Sequence, residues 1–235
     1  MARTRRKKGG GWGLRILGVL VLAALAGTAW LWWSVQHWRP SEDAYPDQGV
    51  SVDQVAGNVN FGTVRALGGR FAYLAASEGA DVKDAMFARN LTRSRAAGLQ
   101  AGAPHRYDPC VVADGQSANF VTMVPRGGDL LPPAVALDVT GEDCGERVSE
   151  AAVESELMIF INQVEKHVGK PVVLKVGADF ENRYGIASRL ERQLWVSRTR
   201  FEPGYVQRPW LLWSANEALM TDAADEPLEW VVVRP

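Results

Sequence analysis

The chain has 235 residues, of which 47% are hydrophobic and 23% charged, and its formal net charge is −1. The charge is unevenly distributed, because seven of the 26 basic residues precede residue 41 and all 27 acidic residues follow it. Residues 41–235 therefore carry 19 basic and 27 acidic residues, a formal charge of −8. This balance argues against a nucleic-acid-binding domain. The length predicts one sizeable domain with an appendage.

An uncharged apolar segment over residues 16–33 follows a basic N-terminus. Eighteen helical residues extend roughly 27 Å, close to the thickness of a bilayer core, and tryptophans cluster at the far end as interfacial aromatics do. We predict a basic cytoplasmic tail over residues 1–11, a transmembrane signal anchor over residues 12–33 and a periplasmic or extracytoplasmic remainder. This makes a single-pass protein of the inner (cytoplasmic) membrane. The string Ala24-Leu25-Ala26 leaves secretion after signal cleavage as the alternative.

Residues 34–46 are predicted to be a linker, and the exported domain occupies residues 47–235. The apolar pattern predicts alternating elements: strands over residues 50–52, 71–76, 102–107 and 134–139 and in VVLKV, LWVSR, WLLWS and EWVVV, and helices over residues 59–67, 82–97 and 116–124 and after Ser149. Repeated βα units are typical of a parallel sheet covered by helices. Because no glycine-rich phosphate loop follows the first strand, we favour an irregular TIM-like α/β barrel over a doubly wound sheet.

In such a barrel, functional side chains lie at the carboxyl ends of strands. Polar residues at or near these ends are Ser51, Asp53, Glu78, His105, Asp138 and Glu229. The two cysteines, Cys110 and Cys144, follow predicted strands, and an oxidising compartment favours a disulfide between them. Two free buried cysteines are the alternative. Without nearby histidines the cysteines make a poor metal site, so no metal is predicted.

Six segments in chain order carry a family resemblance. GVSVDQVAGNVNFGTVRALGGRFAYLAASEG follows the pattern G-I-D-V-S-x-x-Q-G-x-I-D-W and then F-x-Y-x-K-A-T-E-G, and VKDAMFARNLTRSRAAGLQAGAPH follows D-x-x-F-x-x-N, A-G-L and G-x-Y-H. The segments QSANFVTMVP, LLPPAVALDV, VEKHVGKPVVL and RPWLLWSAN continue in the same order. The chain resembles the glycoside hydrolase family 25 lysozymes over nearly all of residues 45–233. The resemblance implies an irregular TIM-like barrel and muramidase activity without a cofactor.

The family's signature is an Asp-x-Glu pair on one strand. Side chains two residues apart on a strand point the same way, about 6.6 Å apart, which suits two carboxyls that flank one glycosidic bond. Here the pair is incomplete. Alignment on the string LDV puts Asp138 at the family's Asp and Thr140 at its Glu, whereas counting from Pro132-Pro133 puts Asp138 at the Glu and Ala136 at the Asp. Both registers leave one carboxylate.

The resemblance implies Asp138 as one catalytic carboxyl, with its partner supplied by Glu229, Asp53 or a loop acid. The family's first-strand acid corresponds to Ser51, which is a candidate for substrate binding, and its last acid corresponds to Glu229. Further candidates for substrate binding are polar or aromatic, since aromatic faces suit the apolar faces of sugars: Tyr73, Glu78, His105, Tyr107, Trp210 and Trp213. For each of these, core packing or loop structure is the alternative.

The sequence supports two hypotheses about function, which belong to different classes. The first is a membrane-anchored muramidase that cuts peptidoglycan glycan strands between N-acetylmuramic acid and N-acetylglucosamine. Its partners are the glycan and, through the N-terminal helix, the inner membrane. The incomplete pair indicates the alternative, a peptidoglycan-binding or scaffold module that has kept the groove and lost hydrolysis.

Overall fold

The computed structural model describes residues 11–127 and 129–235. The chain divides into two compact units, Met1–Trp38 and Arg39–Pro235. Nearly all of the predicted basic tail, residues 1–10, lies outside the described residues.

The first unit contains one long helix, α1 (Gly11–Gln36). Its segment Trp12–Gln36 is 25 residues long, about 37 Å at the rise of an α-helix, and is apolar enough to cross a membrane. None of the segment's most apolar stretch is buried against protein. A signal sequence near an N-terminus has the same length and composition, so the helix is a candidate for either.

The second unit contains six further helices and eleven strands among the described residues. The helices are α2 (Phe61–Ala66), α3 (Phe87–Ala96), α4 (Ala113–Met123), α5 (Glu150–Val168), α6 (Ala178–Tyr184) and α7 (Ile186–Arg189), with short 3-10 helices at Gln54–Ala56 and Gly141–Asp143. The strands are β1 (Gln48–Val52), β2 (Gly69–Leu74), β3 (Ser77–Glu78), β4 (Val82–Lys83), β5 (Gln100–Gly102), β6 (Pro104–Arg106), β7 (Ala134–Leu137), β8 (Val173–Val176), β9 (Gln193–Ser197), β10 (Leu212–Leu219) and β11 (Leu228–Val233).

All eleven strands form one sheet in the order β4-β3-β6-β7-β8-β9-β10-β11-β1-β2-β5. The pairs from β6 to β10 are parallel, as are β1 with β2 and β2 with β5. In contrast, β11 is antiparallel to both β10 and β1. The fold is thus a mixed, curled half-barrel sheet with helices, and the prediction of a uniformly parallel sheet is wrong at its C-terminal strands. The reason is local, because the connection from Leu219 to Leu228 is too short for the crossover that parallel strands require.

Several element boundaries differ from the sequence expectation for equally local reasons. The predicted helix over residues 82–97 begins only at Phe87, since Val82–Lys83 pairs with Ser77–Glu78 as a short antiparallel ladder. The predicted strand over residues 102–107 divides into β5 and β6, which pair with β2 and with β3 and β7. This division lets one segment of chain join two parts of the curled sheet.

Helix α5 covers one side of the sheet with the apolar face expected from its spacing. Ser149 caps its N-terminus by accepting a hydrogen bond from the Ala152 amide, and Gly169 ends it in the left-handed conformation. The buried positions of α5 match the predicted stripe: Val153, Leu157, Phe160, Ile161, Val164 and Val168. Each such side chain contributes about 1.5–3 kcal/mol through burial. This packing holds the sheet whose strand ends carry the polar residues described next.

Candidate active site

A cleft of about 580 Å³ opens at the carboxyl ends of the parallel strands. Its charged lining residues are Asp53, Glu78, Asp84, Arg106, Asp138, Lys175, Glu217, Glu226 and Glu229. Seven acids and two cations therefore face one space. The predicted catalytic candidates, Asp138, Glu229 and Asp53, all belong to it, as do the predicted binding residues Ser51 and Glu78.

Asp138 follows the carboxyl end of β7 and lines the cleft. Ala136 and Asp138, two residues apart, both line the cleft, as expected for side chains on one face of an extended chain. Thr140 does not line the cleft and instead lines a smaller neighbouring pocket. Ala136 is paired in register with Arg106 on β6 and with Lys175 on β8, so two cations flank the alanine.

Asp138 is held among charges of both signs. Its carboxylate lies 3.7 Å from the Arg106 guanidinium, and 42% of its side chain remains exposed. Burial in the cleft raises the pKa of Asp138, the nearby Lys175 and Arg106 oppose this rise, and the negative charges of Glu229 and Glu78 add to it. The net pKa is raised, so Asp138 keeps its proton to a higher pH than an ordinary aspartate.

Glu229 has the opposite bias. It is on β11, opposite Ser51 on β1, and the Lys175 ammonium lies 2.7 Å from its carboxylate. Burial by itself would raise the pKa of Glu229, but the charge and hydrogen bond of Lys175, together with hydrogen bonds from Ser214 and Ser51, lower it overall. Glu229 is therefore ionised at a lower pH than usual.

The environment of Lys175 is equally specific. Only 18% of its side chain is exposed, and its ammonium lies 4.7 Å from the centroid of the Trp195 ring, within the range of a cation–π contact. The Trp195 indole donates to the Ser214 hydroxyl over 2.7 Å, and that hydroxyl donates to Glu229. This chain of donors fixes the orientation of the Glu229 carboxylate.

Two further carboxylates, those of Asp53 and Asp84, accept hydrogen bonds from backbone amides. Asp53 accepts hydrogen bonds from the amides of Val55 and Ala56 and so caps the short helix Gln54–Ala56 at the cleft edge. Asp84 accepts from the Met86 amide over 2.7 Å. Burial raises the pKa of Asp84, against the effect of backbone donors that include the Gln54 amide. Both acids thus shape the rim of the cleft.

Glu78 and Arg106 form an ion pair of 3.1 Å across the parallel strands β3 and β6. Each side chain is 46% exposed. Because Arg106 also contacts Asp138, the three side chains make a charged row along the cleft.

His105 lies beneath the cleft and is fully buried. Its Nε2 is 3.3 Å from the Gln116 carbonyl oxygen, which can only accept, so this nitrogen donates and Nδ1 accepts from the Ser77 hydroxyl 2.8 Å away. Burial lowers the pKa of His105 to about 4, against the smaller opposing effect of the hydrogen bond to Gln116. The histidine is therefore neutral over most of the pH range and supports Ser77, which lines the cleft.

The four aromatic residues considered for sugar stacking are packed in the interior. Tyr73 contacts Trp195, Tyr107 contacts Phe160, and Trp210 contacts Trp213, and the four are between 0% and 7% exposed. None of them lines the cleft in the described part of the chain. Their aromatic surface contributes core packing in this structure, the alternative left open by the sequence.

The predicted disulfide is present, since Cys110 and Cys144 are bonded at 2.03 Å. It connects the loop after β6 to the loop after β7, next to Asp138. Within the described ranges, no group of His, Cys, Asp and Glu residues is arranged to hold a metal ion.

Sequence reasoning missed Lys175, Arg106 and Ser214. Two of them had a signal, because Lys175 interrupts the apolar string VVLKV and Arg106 follows His105 at the end of a short strand. A charge inside a buried strand needs a partner, and the partner in this case is Glu229.

The family model for glycosyl hydrolases family 25 matches residues 50–218, so the chain belongs to that family. The uncharacterized protein YegX of Escherichia coli (strain K12) is 31% identical over 170 residues, which is 69% of this chain and 58% of that protein. The chain thus matches less than two thirds of the length of this relative.

Two solved structures share the fold. A family 25 glycosyl hydrolase from Bacillus anthracis has a TM-score of 0.76 and 22% identity, covering 85% of this chain and 93% of its own. The bacterial lysozyme from Streptomyces coelicolor has a TM-score of 0.70 and 20% identity, covering 80% of this chain and 92% of its own.

Proposed function

We propose that this protein is a muramidase-type glycoside hydrolase that cleaves the glycan strands of peptidoglycan, with Asp138 as its general acid. Membership of glycosyl hydrolases family 25 supports the reaction class, and the fold it shares with a bacterial lysozyme is consistent with the substrate. The observation that carries the proposal is that Asp138 and Glu229 line one cleft in different surroundings. Glu229 lies 2.7 Å from the Lys175 ammonium, whereas Asp138 is 3.7 Å from the Arg106 guanidinium. In line with this difference, the pKa of Asp138 is raised and that of Glu229 is lowered. Such a pair can divide the acid and anion roles between its members.

The register of β7 supports the assignment of Asp138. Since Ala136 and Asp138 line the cleft together and Thr140 does not, we infer that Asp138 stands at the family's Glu and Ala136 at its Asp. A methyl group at residue 136 can neither donate a proton nor stabilise a cation. The anionic role therefore has to come from another strand.

Glu229 is the acid that we assign to this second role. In the proposed mechanism, Asp138 protonates the oxygen of the leaving sugar while the ionised Glu229 stabilises the oxocarbenium-like centre. Lys175, Ser214 and Ser51 keep Glu229 ionised and oriented. Asp138, once deprotonated, then takes a proton from the attacking water.

The site of action that we propose is outside the cytoplasm. Helix α1 supports export either as an anchor or as a signal sequence, and we favour the anchor because the apolar run continues past Ala26 through Trp33. The bonded cysteines are consistent with an oxidising compartment.

A digestion assay with intact sacculi tests the proposal. The full-length protein in detergent is incubated with purified sacculi, and the new reducing ends and soluble muropeptides are measured. We expect cleavage by the unmodified chain and none by Asp138→Asn. The matched control is Asp222→Asn, an exposed acid that does not line the cleft. Retention on sacculi without new reducing ends would instead support the non-catalytic binding module.

A further inference from the structure

Another cavity, of about 460 Å³, opens at the end of the sheet opposite the cleft. Its lining includes residues at or just before the amino ends of parallel strands: Asp47 before β1, Phe71 in β2, Gln100 in β5, Pro132 before β7 and Leu212 in β10. This amino-end cavity shares no lining residue with the cleft. Its volume lies within the range of about 300–1,000 Å³ that is usual for small-molecule sites. The cavity is therefore large enough for a small ligand and separate from the proposed catalytic residues.

The inner wall of the amino-end cavity is apolar. Phe71 and Leu212 belong to the hydrophobic cluster inside the sheet. Leu131, Leu211 and Val233 pack against this cluster and are only partly buried. Apolar surface that remains accessible to water is stabilised when an apolar ligand covers it. The wall therefore suits the apolar body of a ligand.

One polar group belongs to this apolar wall. Tyr73 lines the cavity, and its side chain is only 3% exposed. Its ring lies 4.9 Å from Trp195 between centroids and packs against Gly102, where a Cβ atom would lie 2.4 Å from the tyrosine ring. Within the described ranges 11–127 and 129–235, the Tyr73 hydroxyl makes no hydrogen bond. A buried hydroxyl without a partner is costly, and a polar atom of a ligand in the cavity would satisfy it.

The outer rim of the cavity carries positive charge. Arg65 and Arg70 both line it and both are exposed, and Asp47 is the one acid among the described lining residues. The lining therefore has a formal charge of +1 in a unit that is acidic as a whole. Arg70 lies 3.3 Å from Asp47, and Arg65 donates to the Gly69 carbonyl oxygen over 3.3 Å. Each contact involves one nitrogen of its guanidinium, which has five N–H donors, so both arginines have donors left for a ligand.

We propose that the amino-end cavity binds a small amphipathic carboxylate. The apolar body of the ligand lies against the inner wall, its carboxylate pairs with Arg65 and Arg70, and a hydrogen-bonding group at its inner end meets the Tyr73 hydroxyl. A guanidinium matches the planar geometry of a carboxylate and can donate two parallel hydrogen bonds to it. One carboxylate also neutralises the formal charge of the lining. The site is independent of the proposed function, because it shares no residue with the cleft.

Three probes with the same alkyl chain length test the site: octanoate, octanol and ω-hydroxyoctanoate. The full-length protein is held in nanodiscs of phosphatidylcholine, and the binding of each radiolabelled probe is measured by equilibrium dialysis against nanodiscs without protein. We expect octanoate to bind about tenfold more tightly than octanol, because only the carboxylate can form charge-assisted hydrogen bonds with the arginines. We expect ω-hydroxyoctanoate to bind more tightly than octanoate, because its hydroxyl gives Tyr73 a partner.

Variants of the rim and the inner wall separate the two contacts. Arg65→Gln with Arg70→Gln should weaken octanoate binding about tenfold and leave octanol binding unchanged. Tyr73→Phe should keep the affinity for octanoate and remove the preference for ω-hydroxyoctanoate. Arg93→Gln is the matched control, since this exposed arginine of α3 lies outside the cavity.

Each result either supports or overturns the inference, whatever a hydrolase assay shows. A preference for carboxylate that is lost only in the double arginine variant, with an unchanged melting temperature, supports the site. A preference for ω-hydroxyoctanoate that is lost only in Tyr73→Phe supports the contact at the inner end. Equal affinity of the unmodified protein for octanoate and octanol, or no saturable binding of any probe, overturns the inference. An equal loss of octanoate binding in Arg93→Gln and in the double arginine variant overturns it as well.

Discussion

At the scale of single residues, a difference in cation contact separates two carboxyls that share one cleft. Lys175 is 2.7 Å from Glu229, whereas Arg106 is 3.7 Å from Asp138 and is shared with Glu78. The interaction between two charges strengthens as they approach each other and lose contact with water. The effect of desolvation on the pKa is therefore larger than that of the cations at Asp138, whereas at Glu229 the cation and the hydrogen bonds together outweigh desolvation. The pKa values of the two groups are therefore displaced in opposite directions, upward at Asp138 and downward at Glu229.

The proposed roles of Asp138 and Glu229, with these displacements, predict an acidic pH optimum. Activity requires an ionised Glu229 and a protonated Asp138, so kcat/KM should rise as the pH passes the lowered pKa of Glu229 and fall as it passes the raised pKa of Asp138. A pH–rate profile on soluble glycan measures both limbs. Activity that climbs steadily from acidic to alkaline pH would contradict the assignment of Asp138.

Lys175→Gln should move one limb of that profile. Without the ammonium, burial dominates at Glu229 and raises the pKa of this carboxyl, so the acidic limb shifts to higher pH while kcat falls. Lys175→Arg keeps the positive charge and serves as the control. An unshifted acidic limb in Lys175→Gln, alongside normal folding, would show that Glu229 has no part in the reaction.

The same substitution has a predicted effect on stability. A carboxyl with a lowered pKa stabilises the fold above its unfolded-state pKa, and this stabilisation is lost as the pH falls through the folded-state pKa. Breaking the largely buried pair should therefore cost about 3 kcal/mol at neutral pH, and the deficit relative to the unmodified protein should shrink in acid. Chemical denaturation at two pH values measures both quantities.

The location of Asp138 and Glu229 in the cleft was predictable from the sequence, because family motifs and strand ends mark them. Lys175 was missed although its charge interrupts an apolar strand, because a motif comparison asks which acids are retained and does not ask what neutralises them. The tryptophans and tyrosines illustrate another limit. Trp210 and Trp213 are consistent with a sugar platform or a core by residue type, and only the folding of β10 against its neighbours settles their burial.

At the scale of elements, the register of β7 decides which residues can act together. Residue 136 has Arg106 and Lys175 as its neighbours on the adjacent strands. The two alignments of this strand differ by two residues and put the same side chains on one face, so the sequence could not choose between them. That Ala136 and Asp138 line the cleft and Thr140 does not favours the count from Pro132-Pro133.

Ala136→Asp is predicted to raise the cleavage rate. The new carboxylate would face the cleft beside Asp138, with two cations to compensate its charge, and would place an anion close to the reacting centre. We expect a gain on the order of tenfold to a hundredfold in kcat, the scale on which the position of a catalytic group matters. Thr140→Glu, the substitution that the other alignment would favour, should give no gain. The opposite result would establish the other register.

The disulfide between Cys110 and Cys144 constrains two loops at the same scale. It closes a loop between residues separated by 34 positions, so its loss should lower the free energy of unfolding by about 2–4 kcal/mol. Cys110→Ser with Cys144→Ser, followed by urea denaturation, measures the loss. Addition of a thiol reductant should weaken the unmodified protein and leave the double variant unaffected; equal responses would point to a cause other than the bond.

At the scale of the whole molecule, the chain combines an apolar helix with an acidic α/β unit. The order of motifs was enough to predict the family and the layered α/β architecture, because βα repeats leave periodic patterns. The antiparallel pairing of β11 was not predicted, since the direction of a strand depends on the length of its connection and on its neighbours. The fold class could therefore be predicted from this sequence, whereas the direction of β11 could not.

The fate of the helix is testable in cells. We predict that the full chain sediments with membranes, resists carbonate extraction and is released by detergent, and that its N-terminus is intact by mass. A chain that begins at Arg39 should remain in the soluble fraction. A mature N-terminus just after Ala26 would establish a cleaved signal sequence instead.

Ionic strength should act unevenly on two ion pairs of the cleft, Lys175–Glu229 and Arg106–Glu78. The Lys175–Glu229 pair has less than a fifth of each side chain in contact with water, whereas Arg106 and Glu78 are nearly half exposed. Mobile ions screen exposed charges over a Debye length of about 8 Å and reach buried ones far less. A rise in external salt would therefore loosen the arginine at the cleft rim while the anion at the cleft floor stays in place. Under the proposed function, ionic strength would then alter substrate binding before it alters bond cleavage.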